Sequence, residues 1–328
     1  MLDRFFPLYI TVFAITLLIT AIAEAYLIPR LSASAKQPIY KDGPSWHIAK
    51  SGTPTMGGLA FLLAVSLSLS LASAFLFMTE RVEEAVSVIT VTAFGVLNAL
   101  VGIIDDLTKL RRKKNAGLSP KQKLFIQLIL SALFLLARKI IFLDTTVLYF
   151  SFGKIDLGFF YYPIALLMLL GIINCANLTD GIDGLAASVA FSVAVSLFYI
   201  SASLFTDSAL IASAVIGASV GFLIFNINPA KIFMGDTGSL FFGAILVGAV
   251  FSLKNPLIMI FVGGVYVIEG ISVVLQVLSY KLTKKRIFKM APLHHHLERC
   301  GLGENKICMI AIIATFIMSI PAFIFYLP

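Results

Sequence analysis

Residues 185–203, LAASVAFSVAVSLFYISAS, and 208–225, SALIASAVIGASVGFLIF, contain no charged side chain, and only Leu204 to Asp207 separates them. A helix needs about 20 apolar residues to cross the hydrocarbon core of a bilayer, and each run meets that length. Working outward, eight more runs lie between charges and breakers: 5–28, 56–78, 86–104, 124–143, 161–174, 239–252, 257–280 and 307–327. The runs 161–174 and 239–252 are short. The whole chain agrees: 59% of its 328 residues are apolar and 13% are charged, against about 25% charged in a typical soluble domain. That is too few charges to coat one soluble core and too much apolar residue for a disordered chain. The sequence predicts an all-α polytopic membrane protein with ten transmembrane helices, forming one domain over 1–328 with no internal repeat.

The charges are sorted. Of 25 lysines and arginines, nineteen fall in the odd-numbered loops of this ten-span scheme, including Lys36, Lys41, Lys50, Lys109, Lys113, Lys114, Lys123 and Lys231. The positive-inside rule then places those loops in the cytoplasm and both termini outside. The net charge of +8 reads as this loop bias rather than as an affinity for nucleic acid. The N-terminal run lacks a basic leader and is longer than a signal-peptide core, so it reads as a retained span. Cys175, Cys300 and Cys308 have neither disulfide-framework nor zinc spacing. In the outer loop 144–160, two β-prone runs flank Gly153-Lys154, which predicts a small hairpin near 147–160 on the periplasmic side.

Polar residues gather at the inner ends of the spans. Asp105 and Asp106 close one run, Asp180 and Asp183 lie between runs five and six, and Asp236 lies between runs seven and eight. At the bilayer centre each would cost roughly 3 kcal/mol, so they belong at the interface or in a water-filled cleft. Asp105-Asp106 resembles the DDxxD element that holds Mg²⁺-pyrophosphate in prenyl-chain enzymes, with Lys109 in place of its last acid. Two acids simply ending a helix is the competing reading. Asn174-Cys-Ala-Asn177-Leu-Thr-Asp180-Gly-Ile-Asp183-Gly carries more polar groups than a helix cap requires. Asp180 and Asp183 would share a face if the next helix began at this point.

In Asn226-Ile-Asn228-Pro-Ala-Lys231-Ile-Phe233-Met-Gly235-Asp236-Thr-Gly238-Ser239, the glycines allow close backbone approach. Asp236 offers the hard oxygen that Mg²⁺ prefers, and Phe233 is placed to stack on a base or to sit at the membrane surface. His294-His295-His296 lack zinc spacing and suit phosphate contacts or an interfacial loop. Thr55 lies in the breaker-rich Gly52-Thr-Pro-Thr-Met-Gly-Gly58. Lys50 and Lys123 could hold phosphate or snorkel. Glu269, inside an apolar run, is a candidate by its depth alone. Carboxylates, a divalent cation and lysines beside a bilayer are the parts of phosphoryl transfer to a lipid phosphate.

Five stretches occur together: GTPTMGG (52–58), GIIDDLTKL (102–110), NCANLTDGIDGLA (174–186), FNINPAKIFMGDTGSL (225–240) and PLHHHLE (292–298). With these the chain resembles the phospho-N-acetylmuramoyl-pentapeptide transferases, within the polyprenyl-phosphate sugar-1-phosphate transferase superfamily. The resemblance implies transfer of phospho-N-acetylmuramoyl-pentapeptide from its UDP form to undecaprenyl phosphate, releasing UMP, with Mg²⁺. It implies a catalytic set of Asp105, Asp106, Asp236 and His294, with Asp236 as metal ligand and Asp105 nearest the lipid phosphate. Asn177, Asp180, Asp183, Asn226 and Phe233 would line the nucleotide side. Lys50, Thr55, Lys123, Glu269, His295 and His296 would complete substrate binding. It further implies ten helices with the ninth broken near Gly263-Gly264, a homodimer, and a bacterial cytoplasmic membrane with the cleft facing the cytoplasm. Two schemes stay open: direct attack by the lipid phosphate, and a phosphoryl-Asp105 intermediate. The alternatives in other classes are a polyprenyl-phosphate N-acetylglucosamine-1-phosphate transferase and a transporter. A transporter would be expected to keep its polar residues near the midplane, commonly with repeats.

Overall fold

The structure, a computed structural model, describes residues 2–34, 50, 52–112, 117–204 and 206–326. Lys36, Lys41, Lys113 and Lys114 of the inner-loop count lie outside the described residues. The chain runs α1 (Leu2–Ser34), α2 (Gly58–Met78), α3 (Val82–Arg112), α4 (Pro120–Ile141), β1 (Val147–Phe150) and β2 (Gly153–Asp156). There follow α5 (Tyr161–Thr179), α6 (Leu185–Ser203), α7 (Ser208–Asn226), α8 (Gly235–Val250), α9 (Ile258–Val262), α10 (Gly264–Thr283), α11 (Leu293–Arg299) and α12 (Glu304–Tyr326). Among the described residues ten helices are long and apolar enough to span a membrane, each overlapping one of the ten predicted runs. The ninth run is broken as expected, with Gly263 between α9 and α10.

The helices form two zones. α8 is the hub: from Thr237 to Val250 every residue is buried. It packs on α3 and α5, while α7 packs on α1 and α6. Around this core, α1, α4, α10 and α12 turn large apolar side chains outward, among them Ile22, Leu133, Val277 and Ile317. An exposed isoleucine stripe is costly in water and favourable against acyl chains. Several buried hydroxyls and amides pair between helices. Thr16 bonds Ser68 across α1 and α2, Asn174 bonds Gln127 across α5 and α4, and Ser319 bonds Ser196 across α12 and α6. Without water at that depth, such pairs hold helices in register.

Two local expectations shift. The hairpin forms, but its turn is Ser151-Phe152 rather than Gly153-Lys154, with Phe150 paired to Gly153 and Val147 to Asp156. The end of α12 decides this: Ser151 N–H donates to the Phe325 carbonyl at 2.7 Å, and Phe152 meets the Phe325 ring edge-on. Residues 158–160 form a short 3-10 turn into α5 instead of continuing the strand. Asp180 and Asp183 do not share a helix face, because α6 begins only at Leu185 and both lie in the turn before it.

Candidate active site

The α3 helix does not stop at the end of its apolar run. It continues to Arg112 and carries Asp105, Asp106 and Lys109 on its last turns. There it touches the start of α8 backbone to backbone: a Cβ on Gly102 would collide with the Asp236 carbonyl and the Thr237 amide. The α8 N-terminus has no capping side chain of its own. Asp106 supplies the cap from α3. Its Oδ1 accepts the Asp236 N–H at 3.1 Å, and its Oδ2 accepts the Thr237 N–H and hydroxyl at 2.9 and 2.7 Å. A carboxylate at a helix N-terminus is favoured by the orphan N–H groups and the dipole. Gly235, at φ +70°, makes the preceding turn, and a Cβ there would stand 2.6 Å from Asp106 Oδ2.

This contact gathers three acids. Oxygens of Asp105, Asp106 and Asp236 all lie within 4.8 Å of one another. Two lysines occupy the space among them. Lys109 Nζ is 2.6 Å from Asp105 Oδ2 and 3.2 Å from Asp236 Oδ2. Lys123 Nζ contacts Asp236 Oδ2 and sits 3.6 Å from Asp105 Oδ1. Lys123 is aimed by the start of α4, where Ser119 and Gln122 form a capping box and the Leu118 N–H donates to Asp105 at 2.7 Å. Asn177, on the last turn of α5, donates to Asp236 Oδ1 at 3.1 Å and to Ser239 at 2.8 Å. Asp180 stands just beyond. Burial, then the Asp236 and Asp106 carboxylates, push it up to about 8.

The other predicted residues form two further knots. In the first, Lys50 Nζ donates to Asp183 Oδ1 and Glu304 Oε2, both at 2.7 Å. Asp183 Oδ2 accepts from Asn228 and the Ala230 N–H, each at 3.0 Å. Asn226 is spent internally, accepting the Gly184 N–H and donating to the Ile232 carbonyl. In the second knot, Glu269 accepts the His294 N–H at 3.2 Å and lies 3.2 Å from His294 Nδ1. The buried His294 ring abuts Gly181, where a Cβ would collide with Nε2. His295 Nδ1 pairs with Glu298 at 2.6 Å, and His296 Nδ1 accepts the Lys289 N–H. Phe233 is half-buried, and its backbone bonds to Pro54 and Gly57. That pairing brings the loop with Thr55 against Gly235.

The Glycosyl transferase family 4 model matches residues 87–254, and phospho-N-acetylmuramoyl-pentapeptide-transferase signature 1 matches residues 50–62. A phospho-N-acetylmuramoyl-pentapeptide-transferase of Clostridium perfringens (strain SM101 / Type A) is 41% identical over 97% of this chain and 96% of its own. Those of Halalkalibacterium halodurans and Desulfitobacterium hafniense are 42% and 41% identical, over 89% and 96% of this chain and 90% and 96% of theirs. The chain belongs to the phospho-N-acetylmuramoyl-pentapeptide transferase family. The family 4 match covers the α3–α8 carboxylate cluster, and the signature covers Lys50 and Thr55. The histidine turn lies outside both, yet it folds against the Asp180 turn through His294.

Three partners escaped the sequence reading. Thr237 and Ser239 were visible as polar residues after Asp236, but nothing marked them as partners of Asp106 and Asn177. Glu304 reads as an ordinary acid in the first turn of a helix. Only the fold shows it taking Lys50 and the Asp183 N–H, the latter at 2.7 Å.

Proposed function

We propose that the protein transfers phospho-N-acetylmuramoyl-pentapeptide from its UDP-activated form to undecaprenyl phosphate, giving the lipid-linked peptidoglycan precursor and UMP. The observation that carries this reading is the Asp105–Asp106–Asp236 cluster with Lys109 and Lys123, set at one end of α3 and α8. A lipid phosphate oxygen forms a bond to the β-phosphorus of the donor, and the bond to the UMP oxygen breaks with its electron pair leaving on UMP. The second pKa of a phosphate is near 6, so the nucleophile is largely dianionic near neutral pH, and positioning matters more than a strong base. Asp105, whose Oδ2 lies 2.6 Å from the Lys109 ammonium, orients the attacking phosphate. Lys109 and Lys123 meet phosphoryl oxygens, and Asn177 and Thr237 hold Asp236 and Asp106 in place.

Three hard-oxygen ligands within reach of one another fit Mg²⁺, which binds through one or two carboxylates together with substrate phosphates. Asp236 and one of the α3 aspartates would hold it. When bound, it offsets charge on the diphosphate. The relatives named above are phospho-N-acetylmuramoyl-pentapeptide-transferases, which favours this donor over UDP-N-acetylglucosamine and over transport. The same reading takes the basic inner loops as cytoplasmic, the termini as external, the membrane as the bacterial cytoplasmic membrane and the working unit as a homodimer.

The test is UMP release by the purified protein with UDP-N-acetylmuramoyl-pentapeptide, polyprenyl phosphate and Mg²⁺. Release that needs all three supports the reading. Release from UDP-N-acetylglucosamine alone would overturn it. A phosphorylated enzyme trapped by the donor without lipid would replace direct attack with a covalent step.

A further inference from the structure

Beside the Lys50–Asp183–Glu304 knot the surface opens into a cavity of about 920 Å³, walled by Asn228, Lys289, Glu298, Arg299, Glu304 and the 301–303 turn. Nothing described so far uses this space, though its walls are tied to the site. Asn228 holds Asp183, and Glu304 holds Lys50. Glu298 holds His295, whose ring lies 4.2 Å from that of His294, the residue packed against Gly181. The cavity walls therefore connect, through Asp183 on one side and His294 on the other, to the 180–184 turn that follows α5.

The lining says what kind of ligand fits. Its volume is within the range of about 300–1,000 Å³ usual for small-ligand sites. No wall residue is aromatic, and the only large apolar one is Leu302, so neither a base nor an acyl chain finds a matching surface. The walls instead carry two cations, two carboxylates and an amide. Lys289 Nζ donates to the Arg299 carbonyl at 3.2 Å, which ties the two cationic residues to one wall. At Gly301 and Gly303 nothing lies within 4 Å of where a Cβ would stand, leaving room for another backbone. Mixed charge and open backbone suit a short peptide, which always ends in a carboxylate.

We propose that this cavity binds the peptide arm of the donor, with Arg299 and Lys289 meeting its carboxylate end. The proposal rests on the donor assigned under Proposed function, and it adds a subsite that the reaction chemistry does not require.

The test is a binding series on the full-length, detergent-purified protein. Three donors are compared: UDP-N-acetylmuramoyl-pentapeptide, the same molecule with its C-terminus amidated, and UDP-N-acetylmuramic acid without peptide. A charge-assisted hydrogen bond is worth about tenfold or more in affinity. Arg299→Ala and Lys289→Ala should each weaken the pentapeptide donor by about tenfold. They should weaken the amide far less and leave the peptide-free donor unchanged. Arg299→Lys should retain most of the affinity. The peptide-free donor doubles as the folding control. Equal losses for all three donors would assign the cavity to the nucleotide end and overturn the proposal, as would no loss for any. Failure of the family reading looks different: the unmodified protein would then bind none of the three.

Discussion

Two buried ionic clusters sit at opposite ends of α3, and they are built to different rules. At the end beside the hairpin, here called outer, Arg138 donates to both Asp144 oxygens, to Ser87 and to the Phe251 carbonyl. Ser87 and Ser252 share a hydrogen bond at 3.0 Å, and Ser252 donates to Asp207 at 2.9 Å. Burial holds the Asp207 carboxyl above its ordinary range. The network is closed, with every guanidinium nitrogen paired. At the inner end, three carboxylates crowd within 4.8 Å and two lysines are wedged among them, both in contact with Asp236 Oδ2. Like charges at that spacing repel, and the arrangement persists because the α8 N-terminus and the lysines oppose the repulsion. The outer cluster has the form of a structural tie. The inner one crowds like charges and is not closed in this way.

That contrast is open to attack. The largest effect is expected at the inner end, where Asp236→Asn should lower UMP release on the order of 10³-fold. The thermal midpoint of the variant should fall less than for loss of Arg138, since Lys109 and Lys123 keep Asp105 as a partner. A large loss of stability there would make the inner cluster structural too.

The next effect belongs to the outer end. Arg138→Met leaves Asp144 without its partner and should cost about 3 kcal/mol of stability, read from thermal unfolding. Transfer per folded molecule should stay within a few-fold of the unmodified protein. A drop of a hundredfold in that rate would erase the distinction.

The smallest effect concerns a buried acid outside both clusters. Glu24 on α1 is fully buried beside Gly57, and among the described residues neither of its oxygens has a partner. Replacing an unpartnered buried polar group by an apolar one of similar size is neutral or stabilising. Glu24→Met should therefore leave the thermal midpoint unchanged or a few degrees higher, with transfer unaffected. Lost transfer with retained stability would add Glu24 to the inner site.

Much of this was legible beforehand, for identifiable reasons. Asp105, Asp106 and Asp236 stood out because acids at the ends of apolar runs are expensive unless they have a task. Lys50 and Lys123 stood out because they open segments next to breaker-rich turns. The partners were less legible. Asp183 looked like a ligand-facing acid, and the structure occupies both its oxygens with Lys50, Asn228 and Ala230. Glu269 showed only as an acid at unusual depth, and its partner is the His294 turn 25 residues away. The hairpin turn moved by two residues because its register answers to Phe325, near the far end of the chain.

Membrane class, the ten spans and the inventory of polar groups at their ends follow from the sequence alone. Apolar transfer free energy is summed along a segment, and a segment of about 20 residues contains all the information needed. Which polar groups meet was decided by tertiary structure. Asp106 and Thr237 are 131 positions apart, Lys50 and Glu304 are 254, and a hydrogen bond forms only within a few tenths of an ångström of its proper length. Packing of α3 on α8 at Gly102 sets the Asp106–Thr237 distance, and no local property of either segment encodes it.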